Sequence, residues 1–567
     1  MGGIQAEQKN TPVDLADLRA SLRSAIEHHV YADKKTKPFV SPFGTIPKWS
    51  FDFRTLLLSG DTLDNIAELF WQEMGEQTPF QVGGLETAAI ALISGIVMKA
   101  KADGVSLKGF YVRKSRRRDG FQKHIEGNLG NEKVILVDDA LNSGRSMMRQ
   151  VVALEAEGKA VSALWVIVRC QKLEYYSFFH ERGIKIHSLF TLDDVPQTGG
   201  LLKNAFATSI KPNSAFTVEW KFTSPNPAYF HVIPKSAPAI DTERIYFGAD
   251  NGAMWALNQN DGSVAWQYQT LFGAGKKRIF SSPLLFDSTL YFGAYDGNFY
   301  ALDAKTGKKK WMYMEADWIG SSPCAASDLG LVYAGLEFGL WKKRGALVAL
   351  DAKGGEKRWW QSVPSLVHSS PLYLPRPRIV ACGSSKGIAY AFDAMSGEPR
   401  WTYKTNGAIR GGFAYDESRD LLCFGSEDRY LYVLKGTTGE LVYKIETFES
   451  VYTTPLVDSG RLFCGLLDKR MICIDLDLGT TPWEFWTHGR IFSTPIIVDG
   501  KLFFGANDGR FYELDAETGR EIGYFQASER IVNKAAYNSA TVKFFVPTYA
   551  NEVYCLARKS PHPTITV

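Results

Sequence analysis

The stretch with the clearest chemistry is residues 133–148, KVILVDDALNSGRSMM. Its apolar residues 134–137 predict a buried strand, and the carboxylate pair Asp138 and Asp139 follows. A short polar loop over 142–146 then leads into a helical run. Backbone N–H groups of such a loop and of a helix N-terminus can hold a phosphate, while carboxylates accept hydrogen bonds from sugar hydroxyls. The stretch therefore favours a sugar phosphate as ligand, although an α/β domain can also carry Asp-Asp before a helix for structural reasons alone.

The elements that must position these residues alternate between helical and strand patterns over the first 195 residues. Apolar spacing predicts helices over 15–28, 62–74 and, entered from a glycine loop, 85–101. Strands are predicted over 109–113, 134–138, 162–168 and 185–190. This β-α-β-α order predicts an N-terminal α/β domain with a mostly parallel sheet. A stretch of weak periodicity follows, and we interpret 196–213 as a linker.

From about residue 214 the chain repeats itself. The clearest copies are 246–266, 291–311 and 503–524. Five units begin at a Ser-Pro or Thr-Pro sequence, the units typically pass an Asp-Gly type turn and a Thr-Gly type turn, and seven end in an aromatic residue. The closing aromatics lie roughly 38–48 residues apart, the length of a four-stranded propeller blade. They are Trp266, Trp311, Trp359, Trp401, Tyr443, Trp486 and Tyr524.

An eighth unit, over 531–556, has three strand patterns but lacks the Thr-Gly turn and the aromatic. The isolated strand FTVEWKF, at 216–222, can supply its missing outer strand. Because one blade cannot bury both of its faces, we predict an all-β eight-bladed propeller over 214–560, with seven blades as the alternative. Residues 561–567 form a C-terminal tail. The tryptophans are explained by packing between blades, and an aspartate that recurs in five of the units by turn capping; these are Asp303, Asp351, Asp393, Asp475 and Asp515.

Composition limits the function classes. The chain has 567 residues and a net charge of +4, so charge does not indicate a nucleic-acid or membrane partner. No apolar run approaches the roughly 18–20 residues of a membrane span, and no secretory signal is visible. The seven cysteines are scattered and show no CxxC spacing. We therefore expect a cytoplasmic protein.

The repeat pattern A-L-D-A-x-T-G-x-x-x-W resembles the pyrroloquinoline-quinone-type (PQQ-type) propeller repeat over 214–560. Quinoprotein dehydrogenases of this type carry a vicinal disulfide over the quinone and a calcium site. This chain has no adjacent cysteine pair and no export signal, so a PQQ cofactor is not expected. Many such propellers are non-catalytic scaffolds, and we expect a protein partner on this one.

The N-terminal half resembles a type I phosphoribosyltransferase, a family that binds 5-phosphoribosyl-1-diphosphate (PRPP). Besides the phosphate loop, segments 39–57, 82–96, 109–127 and 166–195 are similar to orotate phosphoribosyltransferase in the family's order. The resemblance implies a mobile loop over 109–127. It also implies a possible homodimer, because that loop typically crosses to the neighbouring site.

The resemblance assigns roles to the following residues. Asp138, Asp139, Lys114 and Arg117 would be catalytic, and the two aspartates would also bind Mg²⁺. Arg169 would contact the base. The PRPP-binding set would be Arg113, Lys114, Asp138, Asp139, Asn142, Ser143, Gly144, Arg145, Ser146, Gly84, Leu85, Glu86 and Thr87.

Two departures from the family concern the mobile loop. Arg117 stands where the family has its catalytic lysine, and Asp119 where a histidine is usual. Arginine keeps the positive charge but is not a proton donor at neutral pH. Two functions therefore stay open. The chain is an active phosphoribosyltransferase that transfers 5-phosphoribose to a base-like acceptor and releases pyrophosphate, or a catalytically weakened PRPP or nucleotide sensor that signals through its propeller in a stress or defence assembly.

Overall fold

The structure is a computed structural model that describes residues 15–29, 53–86, 88–113, 125–142, 144–191, 194, 215–225, 236–271, 278–339 and 344–559. The described residues group into two compact units, one within 1–213 and one within 214–567. The predicted linker at 196–213 and the predicted tail at 561–567 lie wholly outside the described residues. The predicted domain limits therefore stay predictions.

The N-terminal unit is built on a six-stranded sheet in the order β3-β2-β1-β4-β5-β6, counted over its described residues. All neighbouring pairs are parallel except β2 and β3, which are antiparallel. This confirms the α/β fold and the mostly parallel sheet. The strands are β1 (Phe80–Leu85), β2 (Lys108–Val112), β3 (Ile125–Gly127), β4 (Lys133–Leu141), β5 (Val161–Arg169) and β6 (Lys185–Thr191). The helices are α1 (Leu15–His29), α2 (Arg54–Leu57), α3 (Gly60–Met74), α4 (Ala88–Ala102), α5 (Arg145–Ala156) and α6 (Ser177–His180), with 3₁₀ turns at Gly75–Gln77 and Leu173–Tyr176.

Two apolar layers cover this sheet. The layer that includes helices α3 and α4 is centred on Phe70 and Trp165, whose rings meet edge to face at 5.2 Å. The layer on α5 contains Met147, Val151 and Leu164, each fully buried. Strands β4 and β5 are therefore covered on both sides, which explains their nearly continuous apolar sequences.

The C-terminal unit is an eight-bladed propeller within its described residues, because eight four-stranded antiparallel sheets follow one another along the chain. Blades are numbered here in chain order, and strands run from the inner to the outer. Blade 1 has Ala239–Ile240, Arg244–Gly248, Ala253–Asn258 and Val264–Gln269, and blade 2 has Leu284–Phe286, Thr289–Gly293, Asn298–Asp303 and Lys309–Met314. Blade 3 has Cys324–Ala326, Leu331–Phe338, Arg344–Asp351 and Lys357–Val363, and blade 4 has Leu372–Leu374, Ile379–Gly383, Ile388–Asp393 and Pro399–Lys404. Blade 5 has Ala414–Asp416, Leu421–Gly425, Tyr430–Lys435 and Leu441–Glu446, and blade 6 has Leu456–Asp458, Arg461–Gly465, Arg470–Asp475 and Trp483–Trp486. Blade 7 has Ile496–Val498, Lys501–Gly505, Arg510–Asp515 and Glu521–Gln526, and blade 8 has Ala536–Asn538, Lys543–Pro547, Glu552–Arg558 and β7 (Phe216–Thr223).

The ring closes through strand β7. It pairs antiparallel with Glu552–Arg558, so the start of the propeller sequence completes the last blade. The inner strands of blades 8 and 1 are also in contact. The prediction of eight blades closed by 216–222 is confirmed, and this pairing gives the last blade its fourth strand.

The Ser-Ser-Pro sequences join neighbouring blades. In blade 2 the Ser281 hydroxyl accepts the N–H of Gly293 within its own sheet at 3.2 Å. The next hydroxyl, on Ser282, accepts the N–H of Ala237 at 2.9 Å and so reaches back to blade 1. Ser281 therefore bonds within blade 2, and Ser282 bonds blade 2 to blade 1.

Most blade seams are held by one tryptophan and one glycine. The Trp266 indole of blade 1 donates to the carbonyl of Ala304 in blade 2 at 3.0 Å. It also lies against Gly307 of the Thr-Gly turn, where an added Cβ would be 2.6 Å from the indole. Six seams share this glycine contact, and their pairs are Trp220–Gly262, Trp266–Gly307, Trp311–Gly355, Trp359–Gly397, Trp401–Gly439 and Trp483–Gly519. The predicted packing role of the tryptophans is confirmed.

Two of the predicted closing aromatics are wrong. In blade 6 the seam is closed by Trp483, which is 9 % exposed, and not by Trp486, which is 44 % exposed. In blade 7 the equivalent position is Gly523, one residue before Tyr524. The seam beside it instead carries the buried Glu513, whose Oε1 lies 2.5 Å from Nη2 of Arg558.

The aspartates of the repeats cap turns, as predicted. Asp303 Oδ1 accepts the backbone N–H of Thr306 at 2.8 Å and also its hydroxyl proton at 2.8 Å. Asp515 makes the same two bonds with Thr518. Backbone N–H groups are likewise accepted by Asp351, Asp393 and Asp475.

None of the helices described here combines the length and apolarity needed to cross a bilayer.

Candidate functional site

Those predicted site residues that the structure describes lie at one edge of the N-terminal sheet. Parallel pairing aligns Gly83 of β1 with Leu136 of β4, and Leu85 with Val112 of β2. The carboxyl ends of these strands therefore meet at a common edge, the usual place for ligands in open α/β sheets.

The acidic pair lies inside strand β4 and not after it. The strand continues to Leu141, so Asp138 and Asp139 are its sixth and seventh residues. Asp138 is 6 % exposed, and its Oδ1 accepts the N–H of Asp139 at 3.0 Å. Asp139 is half-buried, and its Oδ1 accepts the N–H of Ala140 at 2.7 Å. The predicted strand end at 138 is wrong, because pairing with β5 carries the backbone through the carboxylates.

The phosphate-loop residues form a tight entry into helix α5. Gly144 has φ +72°, and its carbonyl accepts the N–H of Met148 at 2.8 Å, so the helix begins directly after a left-handed residue. Asn142 is exposed and Ser146 is half-buried in the first helical turn. Ser143 lies outside the described residues, and only the backbone of Arg145 is described. The first turn of α5 therefore presents its N–H groups beside the end of β4.

Sequence reasoning missed a side chain that holds this turn. The Tyr176 hydroxyl lies 2.7 Å from the carbonyl oxygen of Leu141 and 2.9 Å from that of Asn142. Tyr176 is fully buried, and burial raises the pKa of its phenol, so the hydroxyl stays a donor. The neighbouring Phe179 ring would lie 3.1 Å from a Cβ added at Gly144. In the sequence, the aromatic residues within 175–179 could have indicated a buried contact, but only tertiary packing places them against the phosphate loop.

The Gly84 segment is the end of a strand, not a loop that starts a helix. Strand β1 runs to Leu85, and α4 begins at Ala88, three residues later than predicted. A Cβ at Gly84 would be 2.2 Å from Cβ of Ala89 and 2.7 Å from the carbonyl oxygen of Val137. Glycine therefore lets β1, α4 and β4 approach closely at the candidate site.

Beyond β1, Glu86 turns toward β2, because its N–H donates to the carbonyl of Val112 at 3.0 Å. Thr87 lies outside the described residues.

Arg113 follows β2 and is held by carboxylates. Its guanidinium lies 3.6 Å from Glu86 and 3.5 Å from Glu126 of β3. The other predicted cations of the mobile loop, Lys114 and Arg117, lie outside the described residues. Strand β3 was not predicted: the last residues of the predicted mobile loop form it as an antiparallel edge strand.

Arg169 ends β5 beside the phosphate loop. It is in register with Leu141, and its guanidinium donates to the carbonyl of Gln171. The Gln171 amide in turn lies 3.5 Å from the side-chain oxygen of Asn142. The fold thus brings Arg169 to the same edge as the acidic pair, while the earlier base-binding segment is described only from residue 53 onward.

The propeller places this chain in a known family. The family model described as outer membrane protein assembly factor BamB, a PQQ-type repeat model, matches residues 217–317, 314–407 and 385–560. The chain belongs to this family, and the predicted PQQ-type repeat is confirmed. Among solved structures, BamB from Moraxella catarrhalis has 19% identity and a TM-score of 0.50 over 62% of this chain and 99% of that one. A quinohemoprotein alcohol dehydrogenase from Comamonas testosteroni has 13% identity and a TM-score of 0.51, over 62% and 78% of the two chains. At these identities the likeness shows the fold alone.

The N-terminal half matches curated orotate phosphoribosyltransferases. That of Rhodopirellula baltica is 32% identical over 117 residues, covering 20% of this chain and 60% of the relative. That of Methanopyrus kandleri is 32% identical over 114 residues, covering 20% and 59%. That of Aquifex aeolicus is 26% identical over 155 residues, covering 27% and 83%. The chain thus spans about three fifths of the length of the first two relatives, and the resemblance to phosphoribosyltransferases is confirmed at the level of homology.

The propeller residues do not fit the quinone arrangement of the dehydrogenases that they resemble. All seven cysteines are free, and none lines the cavity within the blades. Within the described ranges, no cluster of three or more His, Cys, Asp or Glu side chains could hold a metal ion. Among the described residues we therefore find neither the disulfide nor the calcium ligands of such a quinone site, and the expectation that this chain lacks PQQ stays a prediction.

Proposed function

We propose that the N-terminal unit is a PRPP-dependent phosphoribosyltransferase that transfers 5-phosphoribose to a base-like acceptor and releases pyrophosphate. One observation carries the proposal: the acidic pair of β4, the left-handed Gly144 that begins α5, and the end of β1 lie at one edge of a parallel sheet. This edge supplies the two kinds of group that bind a phosphorylated pentose, which are N–H donors for the phosphate and carboxylates for the hydroxyls.

The charges that develop during the reaction determine what each residue would do. Displacement of pyrophosphate at the sugar C1 passes through a cationic, oxocarbenium-like sugar. The first turn of α5 would hold the 5-phosphate, and Asp138 and Asp139 would orient the ribose hydroxyls, so that the acceptor meets C1 in a fixed geometry. Arg113, with Lys114 and Arg117 of the loop, would stabilise the negative charge on the departing diphosphate. Arg169 would contact the acceptor base.

The residues fit a magnesium site of the usual kind. Mg²⁺ prefers oxygen ligands and is commonly held by one or two carboxylates together with substrate phosphates. Asp138 and Asp139 are such carboxylates, and a cage made by protein alone is not needed. Bound there with PRPP, Mg²⁺ would neutralise charge on the diphosphate leaving group.

The test uses the full chain. PRPP with Mg²⁺ should raise the unfolding temperature of the N-terminal unit, because a ligand at about 100 times its Kd stabilises the folded state by about 2.7 kcal/mol. Pyrophosphate release is then followed with orotate and other bases. The double variant Asp138→Asn/Asp139→Asn should lose the stabilisation. The matched control Asp61→Asn/Asp64→Asn, which changes two exposed carboxylates of α3, should keep it. Unchanged PRPP affinity in the first double variant would reject the site.

A second candidate is a PRPP or nucleotide sensor, favoured by the state of Arg113. Two carboxylates, from Glu86 and Glu126, already engage its guanidinium, so a diphosphate would have to compete with them. Stabilisation by PRPP without pyrophosphate release from any base would support this candidate, and pyrophosphate release would exclude it.

The remaining proposals concern the whole chain. On the basis of its family, we assign the propeller a partner-binding or regulatory role. A homodimer, a cytoplasmic location and the domain limits 1–195, 196–213 and 214–560 belong to the same proposal.

A further inference from the structure

Three neighbouring strands of the N-terminal sheet bring one cation between two carboxylates. Arg113 directly follows β2, Glu86 directly follows β1, and Glu126 lies in β3. Because β2 pairs with both of the other strands, Arg113 lies between the two glutamates. Backbone contacts fix this arrangement: Glu86 donates its N–H to the carbonyl of Val112 at 3.0 Å, and Glu126 is in register with Tyr111.

Strand β3 approaches β2 so closely that the residue after Glu126 has to be glycine. Gly127 has φ +110°, and a Cβ added to it would lie 2.7 Å from the carbonyl oxygen of Gly109. The same Cβ would lie 2.9 Å from Cα of Phe110. The close pairing of the two strands therefore sets the position of Glu126 beside Arg113.

The two ion pairs hold the Arg113 guanidinium by charge without satisfying its hydrogen-bond donors. Nη2 lies 3.6 Å from Oε2 of Glu86, and Nη1 lies 3.5 Å from Oε1 of Glu126. Both distances exceed the length of a charge-assisted hydrogen bond, which is about 2.7–2.9 Å. The Nη groups therefore keep N–H donors that a ligand oxygen could reach more closely than either carboxylate does.

The charge of this group opposes an anionic ligand. One guanidinium (+1) and two carboxylates (−2) give it a formal charge of −1. The side chains of Arg113, Glu86 and Glu126 are 19 %, 21 % and 28 % exposed, so water screens these charges only in part. A diphosphate that reaches Arg113 must therefore lie against a carboxylate of like charge or displace it.

Glu126 is the carboxylate that a ligand displaces more easily. It lies in a strand of three residues at the edge of the sheet, as far as the sheet is described, whereas Glu86 follows a strand that is paired on both sides. Segments with few paired neighbours open at a lower free-energy cost than central ones. Glu126 is also the more exposed of the two.

We propose that Glu126 regulates the phosphoribosyltransferase site by competing with the diphosphate of the ligand for Arg113. In the free protein Glu126 holds the guanidinium, and diphosphate oxygens replace its carboxylate on binding. The return of Glu126 to Arg113 then favours the release of pyrophosphate. This inference rests on the proposed function, because it needs a diphosphate bound at the end of β1.

The experiment measures the binding of inorganic pyrophosphate with Mg²⁺ to the full chain by isothermal titration calorimetry. Glu126→Gln removes the charge and keeps the size of the side chain. Glu132→Gln is the matched control, because the Glu132 carboxylate pairs with Lys108 at 2.8 Å, at the amino-terminal ends of β4 and β2. Arg113→Gln and its combination with Glu126→Gln complete a double-variant cycle.

Glu126→Gln should bind pyrophosphate about threefold to tenfold more tightly than the wild type, because one partly screened like charge is removed. Misfolding would not produce such a gain. Glu132→Gln should bind like the wild type. In the Arg113→Gln background the gain from Glu126→Gln should be smaller, since no guanidinium is left to compete for.

Failure of this inference and failure of the proposed function give different results. The inference alone is overturned if pyrophosphate binds the wild type and Glu126→Gln binds it no more tightly. An equal gain in Glu132→Gln, or an undiminished gain in the Arg113→Gln background, also overturns it, because either result shows a general charge effect. If neither pyrophosphate nor PRPP binds the wild type or Glu126→Gln, the proposed function fails together with the inference.

Discussion

The contact between Gly307 and Trp266 predicts how strongly one blade seam contributes to propeller stability. Gly307 has φ +69°, so Gly307→Ala forces a side chain into the left-handed region, at a cost of about 1–2 kcal/mol. The new Cβ would also lie 2.6 Å from the Trp266 indole. The indole cannot move freely because it donates to the carbonyl of Ala304. Overpacking of this kind typically costs about 1–3 kcal/mol more.

Gly330→Ala is the matched control. Gly330 has φ +64°, but nothing lies within 4 Å of an added Cβ, so only the backbone cost applies. We therefore expect Gly307→Ala to be less stable than Gly330→Ala by about 1–3 kcal/mol. Given about 2.1 cal/mol/K of unfolding entropy per residue, this corresponds to an unfolding temperature about 1–4 °C lower for the propeller. Differential scanning calorimetry of the full chain measures the difference.

A double-variant cycle tests the cause. In a Trp266→Leu background the clash is gone, so Gly307→Ala should cost no more than Gly330→Ala does in the wild type. If Gly307→Ala and Gly330→Ala unfold at the same temperature in the wild-type background, the seam contact does not constrain this glycine and the reasoning is wrong.

Three further outcomes are expected. Gly84→Ala should abolish PRPP-dependent stabilisation, because its Cβ would overlap Ala89 at 2.2 Å, whereas Gly60→Ala, with open space around it, should not. Burial, and then the charge of Asp139, raises the pKa of Cys170 to about 12, so iodoacetamide should label this thiol at pH 8 only after unfolding, as mass spectrometry can show. Burial opposes ionisation of Asp393, yet hydrogen bonds, chiefly from an arginine, hold its pKa at about 2. A carboxyl whose pKa is lower in the folded than in the unfolded state stabilises the fold above the unfolded pKa, and this stabilisation is lost as pH falls. In urea titrations, the destabilisation by Asp393→Asn should therefore be largest above pH 4 and shrink toward pH 2. Equal destabilisation at both ends of this range would contradict the prediction.

The propeller was predictable because its signals are local and repeated. Ser-Pro starts, aspartate-capped turns and closing aromatics each act within one blade or between adjacent blades. Where a unit departs from the repeat pattern, the spacing of residues along the chain did not identify which residue lies in the seam. Two tryptophans lie three residues apart in blade 6, and only strand register decides that Trp483 and not Trp486 enters the seam. In blade 7, Gly523 at the aromatic position leaves room for the buried ion pair of Glu513 and Arg558, which no repeat pattern indicated.

In the N-terminal unit the sequence indicated the phosphate stretch but missed strand β1. Its sequence, FQVGGL, contains a glutamine and two glycines, so neither apolar nor alternating periodicity is visible. The buried Gln81 amide finds its partners in the backbone of Gly130 and Glu132, which are distant in the chain. The glycines are needed because Phe110 and Ala89 approach too closely for a side chain.

The amino-acid sequence alone determined most of the elements, the number of blades and the acidic pair of β4 that could bind a sugar phosphate, since these depend on residue types a few positions apart. Tertiary structure decided which strand ends share an edge, which tryptophan closes a seam, and that Glu86 and Glu126 flank Arg113. Those outcomes depend on strand order and ring closure, which bring together residues from distant parts of the chain.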